Sequence, residues 1–214
     1  MKKDLTELVF ILDKSGSMHG LEKDTIGGFN SLIEKQKNEQ GEAIVSTVLF
    51  SDYKQVIHNR INLNEVPVLT SKEYFVEGCT ALLDAIGHAI RHIVSVRRST
   101  PETEHPEKTI FIITTDGMEN ASIEYSYKKV KEMIEFQKEK YGWEFIFLGA
   151  NIDAAEEAEK LGIQRDNAVS YCCDSAGIDL NYAGIDEAIT EIRVKKSLST
   201  SWRRKIDKDY KNRK

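Results

Sequence analysis

The chain has 214 residues, of which 40% are hydrophobic and 30% charged, with a formal net charge of −5. This length supports one sizeable core with at most an appendage, and the composition is that of a globular protein with a highly charged surface. The acidic balance argues against a nucleic-acid binder as a whole, and no apolar run approaches the roughly 20 residues that a membrane-spanning helix needs.

The first element is the apolar run LVFIL at residues 8–12, rich in β-branched and aromatic side chains, which reads as a buried strand. It opens into DKSGS at residues 13–17, where Gly16 permits a tight turn. Alternate residues of an extended loop point the same way, so Asp13, Ser15 and Ser17 can bring three oxygens to one point. One carboxylate with two hydroxyls suits a hard cation such as Mg²⁺ or Mn²⁺ and suits Zn²⁺ poorly. By itself D-x-S-x-S is a weak signal, because short Ser and Asp clusters after strands are usually turns or helix caps.

Residues 22–37 carry Ile26, Phe29 and Ile33 at helical spacing, and the positive end of that helix lies beside the loop. Residues 43–50 and 55–61 read as strands joined by the turn Ser51-Asp52-Tyr53, the second of them polar enough for a sheet edge. Residues 62–79 form a long loop, with a short structured piece near 71–75, that delivers Thr80. A second amphipathic helix over 80–96 turns Leu82, Leu83, Ile86, Ile90 and Ile93 inward. His88 and His92 share the i, i+4 spacing of zinc-binding histidines. They lack the glutamate of H-E-x-x-H and fall on a polar stripe with Arg91 and Ser95, so a solvated helix face is the better reading.

Residues 97–107, with Pro101 and Pro106, form an exposed connection. The nearly all-apolar or β-branched run 109–115 predicts a central parallel strand that ends on Asp116. A helix over 124–141, a strand over 143–148, a short helix over 153–161, a strand over 168–171 and a last helix over 185–198 complete the pattern. Strands alternating with helices predict an α/β fold: a doubly wound, mostly parallel sheet with one antiparallel edge strand and helices on both faces.

Three dispersed elements, Asp13-x-Ser15-x-Ser17, Thr80 in GCTALLDA and Asp116 in TIFIITTDG, together resemble the metal-ion-dependent adhesion site of von Willebrand factor A domains. All five positions are filled in order, and the similarity covers roughly residues 5–195. The resemblance implies the strand order 3-2-1-4-5-6, which sets Asp13 and Asp116 at neighbouring strand ends where the winding reverses and a ligand crevice opens. It also implies a Mg²⁺ or Mn²⁺ ion held by Asp13, Ser15, Ser17, Thr80 and Asp116, whose remaining ligand is an Asp or Glu of a partner protein. Cytoplasmic members of the family often act as adaptors, some beside AAA+ type ATPases. A metal-dependent hydrolase or phosphotransferase on the same fold is the alternative. No phosphate loop, nucleophile elbow or second acidic cluster supports it, and His19 is its one nearby candidate base. One departure from the family is Cys79, which precedes Thr80 where many relatives carry Gly.

The expected division is a domain over 1–198 followed by a basic tail over 199–214. Residues 195–214 hold nine Lys or Arg against Asp207 and Asp209. The tail reads first as a solvated terminus, and otherwise as a contact for nucleic acid or an acidic surface through its cations, Trp202 and Tyr210. Cys79, Cys172 and Cys173 form no disulfide framework, which agrees with a reducing compartment, and the adjacent pair lacks further ligands for a metal. Asp4 and Glu7 interrupt any signal-peptide pattern, so the expected location is the cytoplasm.

Overall fold

Strand β1 (Lys2–Asp13) is hydrogen-bonded on both sides by parallel partners, β2 (Glu42–Phe50) and β4 (Pro106–Thr115). The computed structural model describes residues 1–195 and 197–213. Beyond β2, the antiparallel strand β3 (Lys54–Asn62) forms one edge of the sheet. Beyond β4 lie the parallel strands β5 (Glu144–Ala150) and β6 (Ala168–Tyr171), giving the order β3-β2-β1-β4-β5-β6. The expected strand order and single antiparallel edge strand are both present.

Alternation along β1 decides which residues face which layer. Leu8, Phe10 and Leu12 join one core with α1 (Glu22–Gln36) and α5 (Ser175–Lys195), while Val9 and Ile11 join the other with α2 (Leu82–Ser99), α3 (Tyr127–Tyr141) and α4 (Ala154–Lys160). On the first face the Phe10 and Phe29 rings meet edge to face at 5.3 Å. On the second, Phe111 stacks on Phe145 with ring centres 4.8 Å apart. Each fully buried aromatic at such a contact is worth about 3–5 kcal/mol against truncation to alanine. The sheet is thereby fixed rigidly under the loops at its carboxyl edge.

Two expectations are corrected at the C-terminal end. The last helix begins at Ser175 rather than residue 185, because the Asp174 carboxylate caps it by accepting from the Gly177 amide at 2.9 Å. Its apolar positions Ile178, Tyr182, Ile185, Ile189 and Ile192 then repeat at helical spacing, a stripe that Gly177 and Gly184 obscure in the sequence. The solvated tail is replaced, through residue 213, by a 3₁₀ turn over Thr200–Arg203 and a helix, α6 (Arg204–Arg213). Trp202 and Ile206 are only 1% exposed and belong to the core, where Gly184 lets α6 approach: a Cβ there would lie 2.7 Å from Ile206 Cδ1. Much of the segment's charge is neutralised within the fold, with Arg203 forked onto Asp207 and Arg213 paired with Asp174 and Asp209. Lys196 and Lys214 lie outside the described residues. None of the helices among the described residues is long and apolar enough to cross a membrane.

Candidate metal centre

Asp13 ends β1, and Asp116 follows β4. These strands are parallel neighbours in register through Leu12 and Thr114, so the two carboxylates emerge side by side at the carboxyl edge. Helices leave the sheet toward opposite faces on the two sides of this point, which is where doubly wound sheets bind their ligands. Both residues are almost fully enclosed, Asp13 being 2% and Asp116 1% exposed.

The loops bring the other three predicted residues to the same place. Ser15 Oγ and Ser17 Oγ are 3.1 Å apart, and Ser17 Oγ donates to Asp116 Oδ1 at 2.6 Å. The turn that carries them is pinned by the Gly16 amide, which donates to the Gly78 carbonyl at 3.0 Å. Thr80 arrives on the loop before α2. Its amide donates to Asn120 Oδ1 at 2.9 Å, and its carbonyl accepts from the Asn120 amide at 3.1 Å. Gly117 completes the cradle: a Cβ built on it would lie 3.7 Å from Ser17 Oγ and 3.8 Å from Thr80 Oγ1, inside the space these oxygens enclose. Asp13, Ser15, Ser17, Thr80 and Asp116 are therefore all gathered at one site.

Asp13 is oriented at both oxygens. Its Oδ1 accepts from the Ser15 amide at 2.7 Å and its Oδ2 from Thr115 Oγ1 at 2.6 Å. Burial nonetheless dominates, pushing its carboxyl up to about 6 against those hydrogen bonds, and the neighbouring Asp116 charge adds to the rise. Asp116 is raised as well, again chiefly by desolvation. Neither carboxylate has an ion-pair partner among the described residues. The one buried cation in the loop, Lys14, is aimed away. Its Nζ binds Glu77 Oε1 at 2.6 Å and lies 4.2 Å from the centre of the Phe75 ring.

An all-oxygen cradle with two buried, uncompensated carboxylates fits a hard divalent cation. Among the described residues no three His, Cys, Asp or Glu side chains converge, so the donor set depends on its hydroxyls. The other candidates do not meet. His92 Nε2 faces Asn59 Oδ1 at 2.7 Å, whereas His88 Nε2 is buried and lies 2.9 Å from Glu124 Oε2, so the two imidazoles have separate surroundings and the solvated-face reading does not hold for His88. His19 sits 3.6 Å from Glu22. Cys79 is exposed, and its amide donates to Asp52 Oδ1 at 2.7 Å.

Several supporting residues were not singled out in the sequence. The Glu119 carboxylate accepts from the amides of Leu83, Ala121 and Ser122, and Asp84 accepts from those of Ile123, Glu124 and Tyr125. These two acids clamp the loop after Asp116 onto the start of α2, tying the Thr80 and Asp116 sides of the site together. The Tyr74 hydroxyl, wholly buried, donates to the Asp13 carbonyl at 2.6 Å. Cys173 Sγ lies 3.7 Å from Asp116 Oδ2, and burial and that negative charge push its thiol up to about 12. The polar run MENAS directly after Asp116-Gly117 was the available signal for Glu119 and Asn120.

No family model and no curated protein matches the sequence. Solved structures do match it. The strand order defines a doubly wound α/β domain with a crevice at the winding reversal. The structural neighbours then specify the von Willebrand factor A fold. A von Willebrand factor type A protein from Catenulispora acidiphila is 16% identical, with a TM-score of 0.57 over 86% of this chain and 42% of that one. Manganese-loaded Plasmodium vivax TRAP protein is 15% identical, with a TM-score of 0.57 over 84% of this chain and 73% of that one. Proximal thread matrix protein 1 from the mussel byssus, with its adhesion motif occupied by zinc, is 13% identical, with a TM-score of 0.60 over 86% and 46%. This chain spans under half the length of the mussel and Catenulispora proteins.

Proposed function

We propose that this chain is a divalent-cation-dependent protein-binding module, an adaptor that engages a carboxylate of a partner protein. The observation that carries the reading is the pair Asp13 and Asp116: two buried carboxylates in a hydroxyl-lined cradle with no ion-pair partner among the described residues to balance them. Ser15, Ser17 and Thr80 would hold the ion through their hydroxyls, and Asp13 and Asp116 would hold it directly or through water. Once bound, a Mg²⁺ or Mn²⁺ ion supplies an open position for one more anionic oxygen.

The protein's own residues keep that position selective. Two carboxylates balance a dication, and the Lys14 charge beside the cradle is cancelled by Glu77. The clamp of Glu119 and Asp84 holds the cradle in shape before any partner arrives. The oxygen donor set favours Mg²⁺ or Mn²⁺, in line with the manganese of the Plasmodium neighbour. The zinc in the mussel protein makes Zn²⁺ the competitor to test. We place the module in the cytoplasm, with an Asp- or Glu-presenting partner, an AAA+ type ATPase being the class suggested by the family resemblance.

The test is a pull-down from cell lysate with the full chain as bait, in Mg²⁺ and in chelator, beside an Asp13→Ala, Asp116→Ala variant. A partner retained only by the wild type and only with metal supports the reading. A partner retained equally in chelator would refute it.

A further inference from the structure

We propose that the cavity between the β3 edge of the sheet and α2 is a second binding site, for a small anion with an apolar body, of the class of medium-chain carboxylates. The cavity encloses about 360 Å³, within the range of small-ligand pockets. Its floor is hydrocarbon: Val9 and Val48 from the sheet, with Ala89 and Ile93 from α2, all buried. Val56, half exposed on β3, extends this surface to the mouth. The cavity opens to solvent beside β3, where Val56 is the exposed apolar side chain.

The rim decides the charge of the occupant. Lys54 and Arg91 both line the cavity, and neither pairs with a carboxylate among the described residues. Arg91 is held by the face of Tyr125, with its guanidinium carbon 5.6 Å from the ring centre, an arrangement that fixes the side chain while leaving its donors unused. His88 and His92 also line it, His92 facing Asn59 Oδ1 at 2.7 Å and His88 Nε2 lying 2.9 Å from Glu124 Oε2. Two uncommitted cations over a hydrocarbon floor complement a molecule with one anionic head and a compact apolar body. A neutral hydrocarbon would leave the cations unused, and an amine would be repelled by them. None of the five residues of the metal cradle lines this cavity, so its occupancy does not require the ion.

The probe is octanoate, titrated calorimetrically into the full chain in the presence of chelator, so that a carboxylate bound through metal does not contribute. Octylamine and octanol are the controls for charge. The account expects saturable octanoate binding, at least tenfold tighter than either control. Binding should weaken at least tenfold in Lys54→Glu, Arg91→Glu, two exposed positions whose reversal leaves the melting temperature near that of the wild type. Ala89→Phe should block binding by filling the floor, and Asp13→Ala, Asp116→Ala should leave it intact. If Ala89→Phe fails to fold, the charge-reversal variant decides alone. Absence of saturable octanoate binding, equal binding of octanol or octylamine, or indifference to charge reversal would each overturn the proposal.

Discussion

Strand β1 carries a buried carboxylate at each of two places, and the protein treats them in opposite ways. Midway along the strand, Glu7 is 2% exposed and has its own cation, Arg60 Nε, at 2.7 Å. At the carboxyl end, Asp13 is equally buried, yet its partners are a serine amide and a threonine hydroxyl, and the nearest acid beside it is Asp116. Burial raises both carboxyls, but Arg60 pulls Glu7 back toward its ordinary value, while at Asp13 only hydrogen bonds oppose the rise. The lesson is one of compensation. A buried charge balanced from within the chain is part of the architecture, whereas one left unbalanced and preorganised is a place for a cation from outside.

The largest effect that would sharpen this contrast is at the balanced position. Arg60→Ala strands Glu7 without its cation and should cost about 3 kcal/mol in urea denaturation while metal affinity stays unchanged. A loss of metal binding there would break the comparison, since the two carboxylates would then act as one network.

The opposite sign is expected at the unbalanced position. With its carboxyl at about 6 rather than 3.8, Asp13 contributes most to the stability of the metal-free fold below pH 4, and that contribution is lost as pH rises through 6. That shift corresponds to about 3 kcal/mol at pH 7. Asp13→Asn should therefore stabilise the metal-free protein by about 2 kcal/mol at pH 7, with the gain vanishing toward pH 4. Denaturation curves at the two pH values check both the sign and the disappearance.

A smaller effect concerns competition between proton and ion. Below pH 6, metal affinity should fall by about tenfold per pH unit as Asp13 takes up its proton, and it should level off above pH 7. An affinity independent of pH from 5 to 7 would mean that Asp13 contributes no charge to the site. Smallest of all, Gly117→Ala places a methyl 3.7 Å from Ser17 Oγ and should weaken metal binding several-fold without changing the melting temperature of the metal-free chain.

Only the unbalanced half of this contrast was visible in the residues alone, and the reason is physical. Asp13, Ser15, Ser17, Thr80 and Asp116 lie at the ends of strongly patterned strands or at a helix start, so periodicity locates them and the motif supplies their chemistry. The residues that support the site are placed by contacts between loops, which no local pattern encodes. Glu119 and Asp84 read as ordinary surface acids until the fold sets them against backbone amides. Lys14 reads as a solvated loop lysine, yet it is entirely buried against Glu77 and Phe75. The C-terminal segment misled for a related reason. Its lysines and arginines outweigh Trp202 and Ile206 in composition, but those two side chains at i, i+4 spacing are enough to seat a helix on α5.

The central claim is that the pair Asp13 and Asp116 awaits a divalent cation. It is tested most directly by calorimetric titration of Mg²⁺ and Mn²⁺ at pH 7.5 into the wild type and into Asp13→Ala, Asp116→Ala. A melting curve of each sample with and without the ion accompanies the titration. The account predicts one saturable site in the wild type, a rise in its melting temperature on binding, and neither effect in a variant that still folds. A folded variant that binds the ion as the wild type does, or a wild type whose melting temperature no divalent cation moves, would contradict it.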